Sequence, residues 1–284
     1  MMSEMLSFGY MQRALLAGVL IGTLCAIVGV YVILRGMSFI GVGVAHASFG
    51  GVALGFLLGI NPLIAAALFC LLTAWGIGIA AQKGEIKEDT AIGVFFAFTM
   101  ALGILFISCM RRYNVDLFGW LFGSIIAVTS QDIMITLILG GCVILIVALL
   151  FKELKFISFD SEMAKVTGLP SGFLYFLLLG LIALTVVVSI KVVGIILVSA
   201  LIVTPAAAAY QLTERFNWMM ALSIAIGVFS AVGGLIVSYW LDTPSGATIV
   251  ILVTIIFFAA SIFSPRRRRL SGRKEDGQDT PTRN

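Results

Sequence analysis

Long apolar runs, separated by short polar segments, follow one another along most of the chain. A helix needs about 20 consecutive apolar residues to cross the hydrocarbon core of a bilayer. The run at 117–129 is too short to cross comfortably, and we expect it to form a re-entrant or interfacial helix. We therefore predict an all-α bundle of eight or nine membrane spans. The runs near bilayer length lie at 14–34, 37–59, 62–82, 90–110, 132–151, 171–190, 192–211, 217–241 and 246–263.

One polar segment stands out between the apolar runs. From Lys152 to Pro170 the chain reads KELKFISFDSEMAKVTGLP. Its charged residues Asp160, Glu162 and Lys165 cannot lie in hydrocarbon, so the segment must stand on an aqueous face. We predict a short polar helix at 158–168 that makes a mechanical contact with a partner protein.

The composition supports a membrane protein. Of the 284 residues, 61% are hydrophobic and only 11% are charged, and the mean hydropathy of +1.14 lies outside the range of soluble globular proteins. We expect one transmembrane domain at 1–265 and a basic, disordered, cytoplasmic tail at 266–284. The first span lacks the small-residue cleavage pattern of a secretory signal, so we expect it to be retained.

The cysteines and the net charge add little chemistry. All four cysteines lie within or at the end of apolar runs without a CxxC motif, so we interpret them as small core residues without disulfide or metal roles. The net charge of +4 comes from the arginine-rich tail at 266–274, which is typical of a topology and lipid-headgroup anchor and does not indicate nucleic-acid binding. The four cysteines are Cys25, Cys70, Cys109 and Cys142.

The arginine and lysine positions predict an orientation in the cell membrane. With the tail placed in the cytoplasm, counting back through nine spans puts fourteen of the eighteen basic residues on the cytoplasmic side. This excess follows the positive-inside rule. The arrangement places the polar helix at 158–168 in the cytoplasm and the amino terminus outside.

The chain carries few groups that could do chemistry. It has no GxxxxGK[ST] phosphate loop, no HExxH and no GxSxG, so we expect it to be no enzyme, to bind no cofactor and to leave ATP hydrolysis to another subunit. The only histidine, His46, falls inside a predicted span. An imidazole there is either a ligand for a passing cation or a core histidine bonded to a serine or carbonyl of a neighbouring helix, for example Ser48 or Ser199, and the membrane setting favours the ligand.

A second unusual stretch is VGIILVSALIVTPAAAAYQL at 193–212. Pro205 removes a backbone donor, and Ser199 and Thr204 accompany it in a run of small residues. We predict a broken or kinked helix here. Such a break is either a structural kink or a moving gate that faces a transport pathway.

Five pieces of the chain, taken together and in order, resemble the membrane permease of the zinc and manganese uptake ABC transporters over nearly the whole length. They are RGMSFIGVGVAHASFGGVALG at 35–55, VDLFGWLFGSIIAVTSQD at 115–132, SFDSEMAKVTGLP at 158–170, VGIILVSALIVTPAAAA at 193–209 and LDTPSGA at 241–247.

The resemblance implies an ABC-type metal permease fold and a set of partners. It implies a homodimer with a central pathway, two cytoplasmic ATPase subunits and an extracytoplasmic protein that delivers Zn²⁺ or Mn²⁺. It also implies that 158–168 is a coupling helix, which passes ATPase movement to the pathway for alternating access. The residues assigned to that coupling are Phe159, Asp160, Glu162, Ala164, Lys165 and Gly168.

Two positions depart from the family pattern. The family usually has GDxLxHA around the histidine, which places an aspartate one helical turn before it; here Val42 stands at that position. An external segment that often reads LFGD reads LFGS here, with Ser124. Imidazole suits zinc, and the oxygen donors that favour manganese are missing, so zinc is our preferred substrate and manganese the second.

Three other functions stay open or are disfavoured. A permease for iron or another metal chelate would need no bare-ion ligand and would fit Val42. An ion-coupled secondary transporter would need an ionisable coupling site, for which only His46 qualifies. An intramembrane enzyme would need a facing nucleophile and base, and no second histidine is present.

Overall fold

The protein is described by a computed structural model over residues 8–110, 123 and 128–264. These ranges contain helices and no strand, which confirms the all-α prediction. The helices are α1 Gly9–Leu34, α2 Ile40–Leu58, α3 Pro62–Lys83, α4 Glu88–Ser108, α5 Ser130–Leu149, α6 Phe151–Phe159, α7 Ser161–Val166, α8 Ser171–Val193, α9 Ile195–Leu212, α10 Phe216–Leu241 and α11 Ser245–Ile262.

Nine of the described helices are long and apolar enough to span a membrane, and they correspond one to one to the predicted runs. Their ends differ from the predictions by a few residues; α1 begins at Gly9 and α8 continues to Val193. Most of the helix predicted at 117–129 lies outside the described residues, as does Ser124. The tail predicted at 266–284 lies outside them too.

The bundle is built on three central helices, α1, α2 and α8, which are buried on nearly all sides. Helix α2 packs on α3 and α4, α1 packs on α9 and α10, and α8 lies against α3 and α5. Since lipid tails are as apolar as leucine, these contacts depend on close packing. At the contact of α2 with α3, a Cβ added to Gly51 would lie 2.6 Å from Ala66 Cα, so the backbones touch there.

The polar segment does not form one helix at 158–168, and this prediction was wrong in its bounds. Helix α6 ends at Phe159, and a separate short helix, α7, begins at Ser161. Asp160 lies between them with φ −151° and ψ 100°, an extended conformation. Its Oδ1 accepts hydrogen bonds from the N–H groups of Glu162 and Met163 at 3.0 and 2.8 Å. Asp160 is therefore the N-cap that starts a new helix.

Two of the four cysteines also correct a prediction. Cys25 and Cys70 are fully buried, as expected of small core residues. Cys109 and Cys142 are exposed on the outer surface of the bundle. Cys109 directly follows α4 and Cys142 lies within α5.

Candidate functional site

His46 lies on α2 and is half-buried, with its ring edge against Phe96 of α4 at a centroid distance of 5.0 Å. Its Nδ1 lies 2.9 Å from the carbonyl oxygen of Val42. That bond requires a hydrogen on Nδ1, so in the neutral ring Nε2 carries the lone pair that a metal ion would bind. Among the described residues no hydrogen-bond partner of Nε2 is found. The side chain is thus oriented by its own helix and can present one nitrogen donor.

The serine partners considered for a structural histidine are not used. The Ser48 hydroxyl donates to the Ala45 carbonyl at 2.6 Å, and the Ser199 hydroxyl donates to the Ile196 carbonyl at 2.8 Å. Each serine therefore bonds within its own helix. The alternative of a core histidine bonded to Ser48 or Ser199 is therefore not what the structure shows, and the carbonyl that His46 does bond belongs to its own helix.

Val42 and His46 form a half-buried strip on a helix whose other central residues are buried. Val42 contributes only its carbonyl to the histidine and brings no carboxylate. Within the described part of the chain, no group of three or more His, Cys, Asp and Glu side chains could hold a metal ion. One chain therefore offers a passing cation a single imidazole at this depth.

Helix α9 carries the predicted gate residues. It is continuous through Pro205, so the helix is not broken there, although the missing N–H leaves the Leu201 carbonyl without its usual donor. Ser199 and Thr204 are half-buried on one face, and Pro205 is buried. The actual break in helical backbone lies at Gly194, between α8 and α9, with φ 82°.

The histidine strip and the Ser199 face lie at a similar depth in the bundle. Helices α2 and α9 run antiparallel, and an added Cβ on Gly41 would lie 3.5 Å from Ile202. His46 and Ser199 both lie on the same side of that crossing. At 1.5 Å per helical residue their depths differ by about 3 Å. The two polar groups therefore belong to one level of the bundle.

The end of the bundle near Gly194 is held by two contacts, and we call it the latch end. An added Cβ on Gly123, which has φ +64°, would lie 2.6 Å from Gly194 Cα, so the two backbones are in direct contact. Lys191 Nζ lies 2.5 Å from Oδ1 of the buried Asp132. Asp132 also closes a capping box with Thr129 at the start of α5.

The sequence reasoning missed this ion pair because both residues looked like separate charges near span ends. The TSQD pattern at 129–132 is a capping-box signal and could have placed Asp132 in the first turn of a helix. Nothing in the sequence, however, indicates that α5 and α8 are neighbours at that end.

The opposite end of the bundle carries the predicted coupling residues, and we call it the coupling end. Asp160 caps α7, Ala164 is fully buried, and Gly168 ends the helix with φ +84°. The N–H of Leu169 reaches the Ala164 carbonyl at 3.1 Å, and the N–H of Gly168 reaches Lys165 at 3.1 Å, which together form a Schellman motif. These three residues set the start, the packing and the end of α7.

The exposed surface of α7 is more apolar than its sequence suggested. Met163 is 52% exposed and Val166 is 81% exposed, while Phe159, just before the cap, is 58% exposed. Glu162 and Lys165 are exposed beside them. The prediction selected Phe159, Glu162 and Lys165 from this surface and missed Met163 and Val166. Neighbouring apolar residues exposed on a segment this polar are typical of an interaction surface.

Comparison with known proteins identifies relatives of this chain. The sequence model described as the ABC 3 transport family matches residues 7–264. The chain is 42% identical to the manganese transport system membrane protein MntC of Listeria innocua, over 96% of the chain and 97% of that protein. It is 39% identical to the manganese import system permease protein ScaB of Streptococcus gordonii, over 93% of the chain and 94% of that protein. The solved structure of PsaBC from Streptococcus pneumoniae in complex with Fab superposes with a TM-score of 0.84 at 36% identity, covering 96% of this chain and all of that one.

Proposed function

The chain belongs to the ABC 3 transport family, and from this premise we propose that it is the permease subunit of an ATP-driven importer whose substrate is Mn²⁺. The observation that carries the choice of metal is the pair of relatives, 42% and 39% identical along nearly the whole chain, that are named for manganese transport. The sequence alone favoured zinc. Zn²⁺ stays the second candidate, because the one nitrogen donor at His46 suits it.

We assign His46 the role of a transient ligand in the pathway. Its ring is oriented by the Nδ1 bond to the Val42 carbonyl, and the side chain is half-buried on a helix that is otherwise buried at that level. A lone imidazole without a carboxylate binds a divalent cation weakly, which suits an ion that must leave again. A homodimer would bring a second His46 to the same pathway.

The coupling end is the side on which we place the ATPase. Helix α7 presents Met163 and Val166 outward, and the cap at Asp160 and the turn at Gly168 fix its shape. Two ATPase subunits that grip this surface would move it as a rigid body on nucleotide binding. The positive-inside rule puts this end in the cytoplasm, and the latch end would then face the extracytoplasmic metal-binding protein.

The experiment is a test of substrate in a reconstituted complex. The permease, its ATPase and its binding protein are placed in proteoliposomes, and ATP hydrolysis and uptake are measured with Mn²⁺, Zn²⁺, Fe²⁺ and a ferric chelate in turn. We expect Mn²⁺ to give the largest stimulation and Zn²⁺ to compete with it. Stimulation by the chelate alone would replace the bare-ion proposal, and uptake without any need for ATP would refute an ATP-driven importer.

A further inference from the structure

Arg35 lies at the coupling end directly after α1, and its guanidinium is largely buried, with 14% of the side chain exposed. An arginine is always charged, so a buried one must be paired and hydrogen-bonded. Its two terminal nitrogens and its flat face make contacts with more than one neighbour, while Nε has no hydrogen-bond partner among the described residues. The contacts come from three separate elements of the bundle.

The first contact reaches the segment that leads into α7. Arg35 Nη1 donates to the carbonyl oxygen of Ile157 at 3.1 Å. Ile157 lies in the last turn of α6, where carbonyls have no donor within the helix. Arg35 therefore caps α6 from across the bundle, next to the break at Asp160, and its positive charge suits the carboxyl end of a helix.

The other two contacts reach α4 and α8. Arg35 Nη2 lies 3.8 Å from Glu88 Oε1, at the first residue of α4, and Cζ lies 4.7 Å from the ring centroid of Tyr175 on α8. Helix α4 carries Phe96, whose ring contacts His46. Helix α8 continues to Lys191 and the break at Gly194. One side chain thus joins the coupling segment to two helices that carry, farther along their length, the Phe96 contact with His46 and the ion pair of the latch end.

We infer that Arg35 is a positioning residue for transport: it carries displacement of α6 and α7 to α4 and α8, and so couples ATPase closure to the pathway. This inference rests on the proposed function in one respect, that an ATPase moves α7. The planar guanidinium is suited to the task because its donors lie in a rigid fork and can bond a carbonyl and a carboxylate together. A lysine has one compact charge and cannot hold both partners with the same geometry.

The test uses the full complex in proteoliposomes with Mn²⁺ and the parental, Arg35→Gln, Arg35→Lys and Glu88→Gln permeases. Lys87→Gln is the matched control, because it removes one positive charge at the same end from an exposed side chain. The readouts are ATPase co-purification, basal ATP hydrolysis, and the number of ions taken up per ATP. We expect Arg35→Gln to keep assembly and basal hydrolysis while ions per ATP fall by about fivefold or more, the usual lower bound for an allosteric coupling. Arg35→Lys and Glu88→Gln should show smaller losses of the same kind, and Lys87→Gln none.

Each other outcome counts against the inference. Parental ions per ATP in both Arg35 variants would overturn it. Loss of assembly in Arg35→Gln together with normal ratios in Arg35→Lys and Glu88→Gln would make Arg35 a purely structural residue. A parental complex that shows no Mn²⁺-dependent hydrolysis would refute the proposed function, and the inference with it, whereas an active parent beside unchanged variants would refute the inference alone.

Discussion

The coupling end and the latch end of the bundle hold their helices together in different ways. At the coupling end the long side chain of Arg35 spans three elements through one hydrogen bond, one ion pair and one ring contact. At the latch end the backbones of Gly123 and Gly194 touch directly, and a short ion pair joins Lys191 to Asp132.

The difference indicates how each end can move. Arg35 holds α6 and α4 through one rigid guanidinium, so a small displacement of one helix pulls on the other. Two backbones in contact leave no room for adjustment, so they are either packed together or apart. We therefore expect the coupling end to transmit movement. We expect the latch end to have two discrete states, open and closed.

The two ends also differ in their exposed surfaces. The coupling end exposes Met163 and Val166 on a helix of six residues. Such a helix is too short to be stable by itself and depends on what it packs against. Under the proposed function the ATPase would bury the apolar residues of α7, whereas the contacts of the latch end form within the chain.

Of the predicted effects, the largest should come from substitutions on the exposed surface of α7. Replacing Met163 and Val166 together with aspartate should weaken ATPase binding by about 4 kcal/mol, because apolar anchors are lost and two charges must be desolvated. The measurement is the yield of ATPase that co-purifies with the tagged permease. The matched control is Gln82→Asp with Thr90→Asp, which adds the same charge at exposed positions of the same end. Parental yield from the α7 variant would show that the ATPase docks elsewhere.

The second effect concerns the latch end and should appear in the stability of the permease alone. Gly123→Ala places a methyl group into the backbone of Gly194 and strains a residue at φ +64°. Strain and overpacking together should cost about 3 kcal/mol. The measurement is thermal unfolding of the detergent-purified protein. Gly141→Ala is the control, because an added Cβ there meets nothing within 4 Å, and an equal loss in both variants would remove the distinction between the two ends.

The helical architecture could be predicted from hydropathy because a bilayer leaves the chain almost no alternative. Backbone groups in hydrocarbon must be satisfied internally, so each apolar run of bilayer length becomes a helix. The end of α6 was harder to predict from the sequence. The run KELKFISF has the composition of a helix, and only the capping aspartate that follows it ends the helix. Asp160 could have signalled that stop, because aspartate is a preferred N-cap and charged residues follow it.

The lateral contacts could not be predicted in the same way. Membrane helices are apolar on nearly all faces, so the periodicity that reveals a buried face in a soluble helix is weak. For this reason neither the Arg35 contact with Ile157 nor the Lys191 pair with Asp132 could be inferred. His46 was found because an ionisable group within a span is rare, yet its bond to the Val42 carbonyl needed the structure.

The smallest predicted effect comes from a substitution at His46, which lies between the two ends. In the complex, His46→Ala should lower Mn²⁺ uptake at subsaturating metal by about tenfold, or about 1.4 kcal/mol, because the pathway loses the imidazole that each chain places at that level. Stability should change little, since the ring bonds its own helix and the rest of the site remains packed. Ser48→Ala is the control, because it removes a polar group from the same helix that bonds only to the Ala45 carbonyl. If both variants transport alike while the α7 and Gly123 variants behave as expected, the ion passes between the two ends without contacting His46, and the histidine serves only to pack α2 against α4.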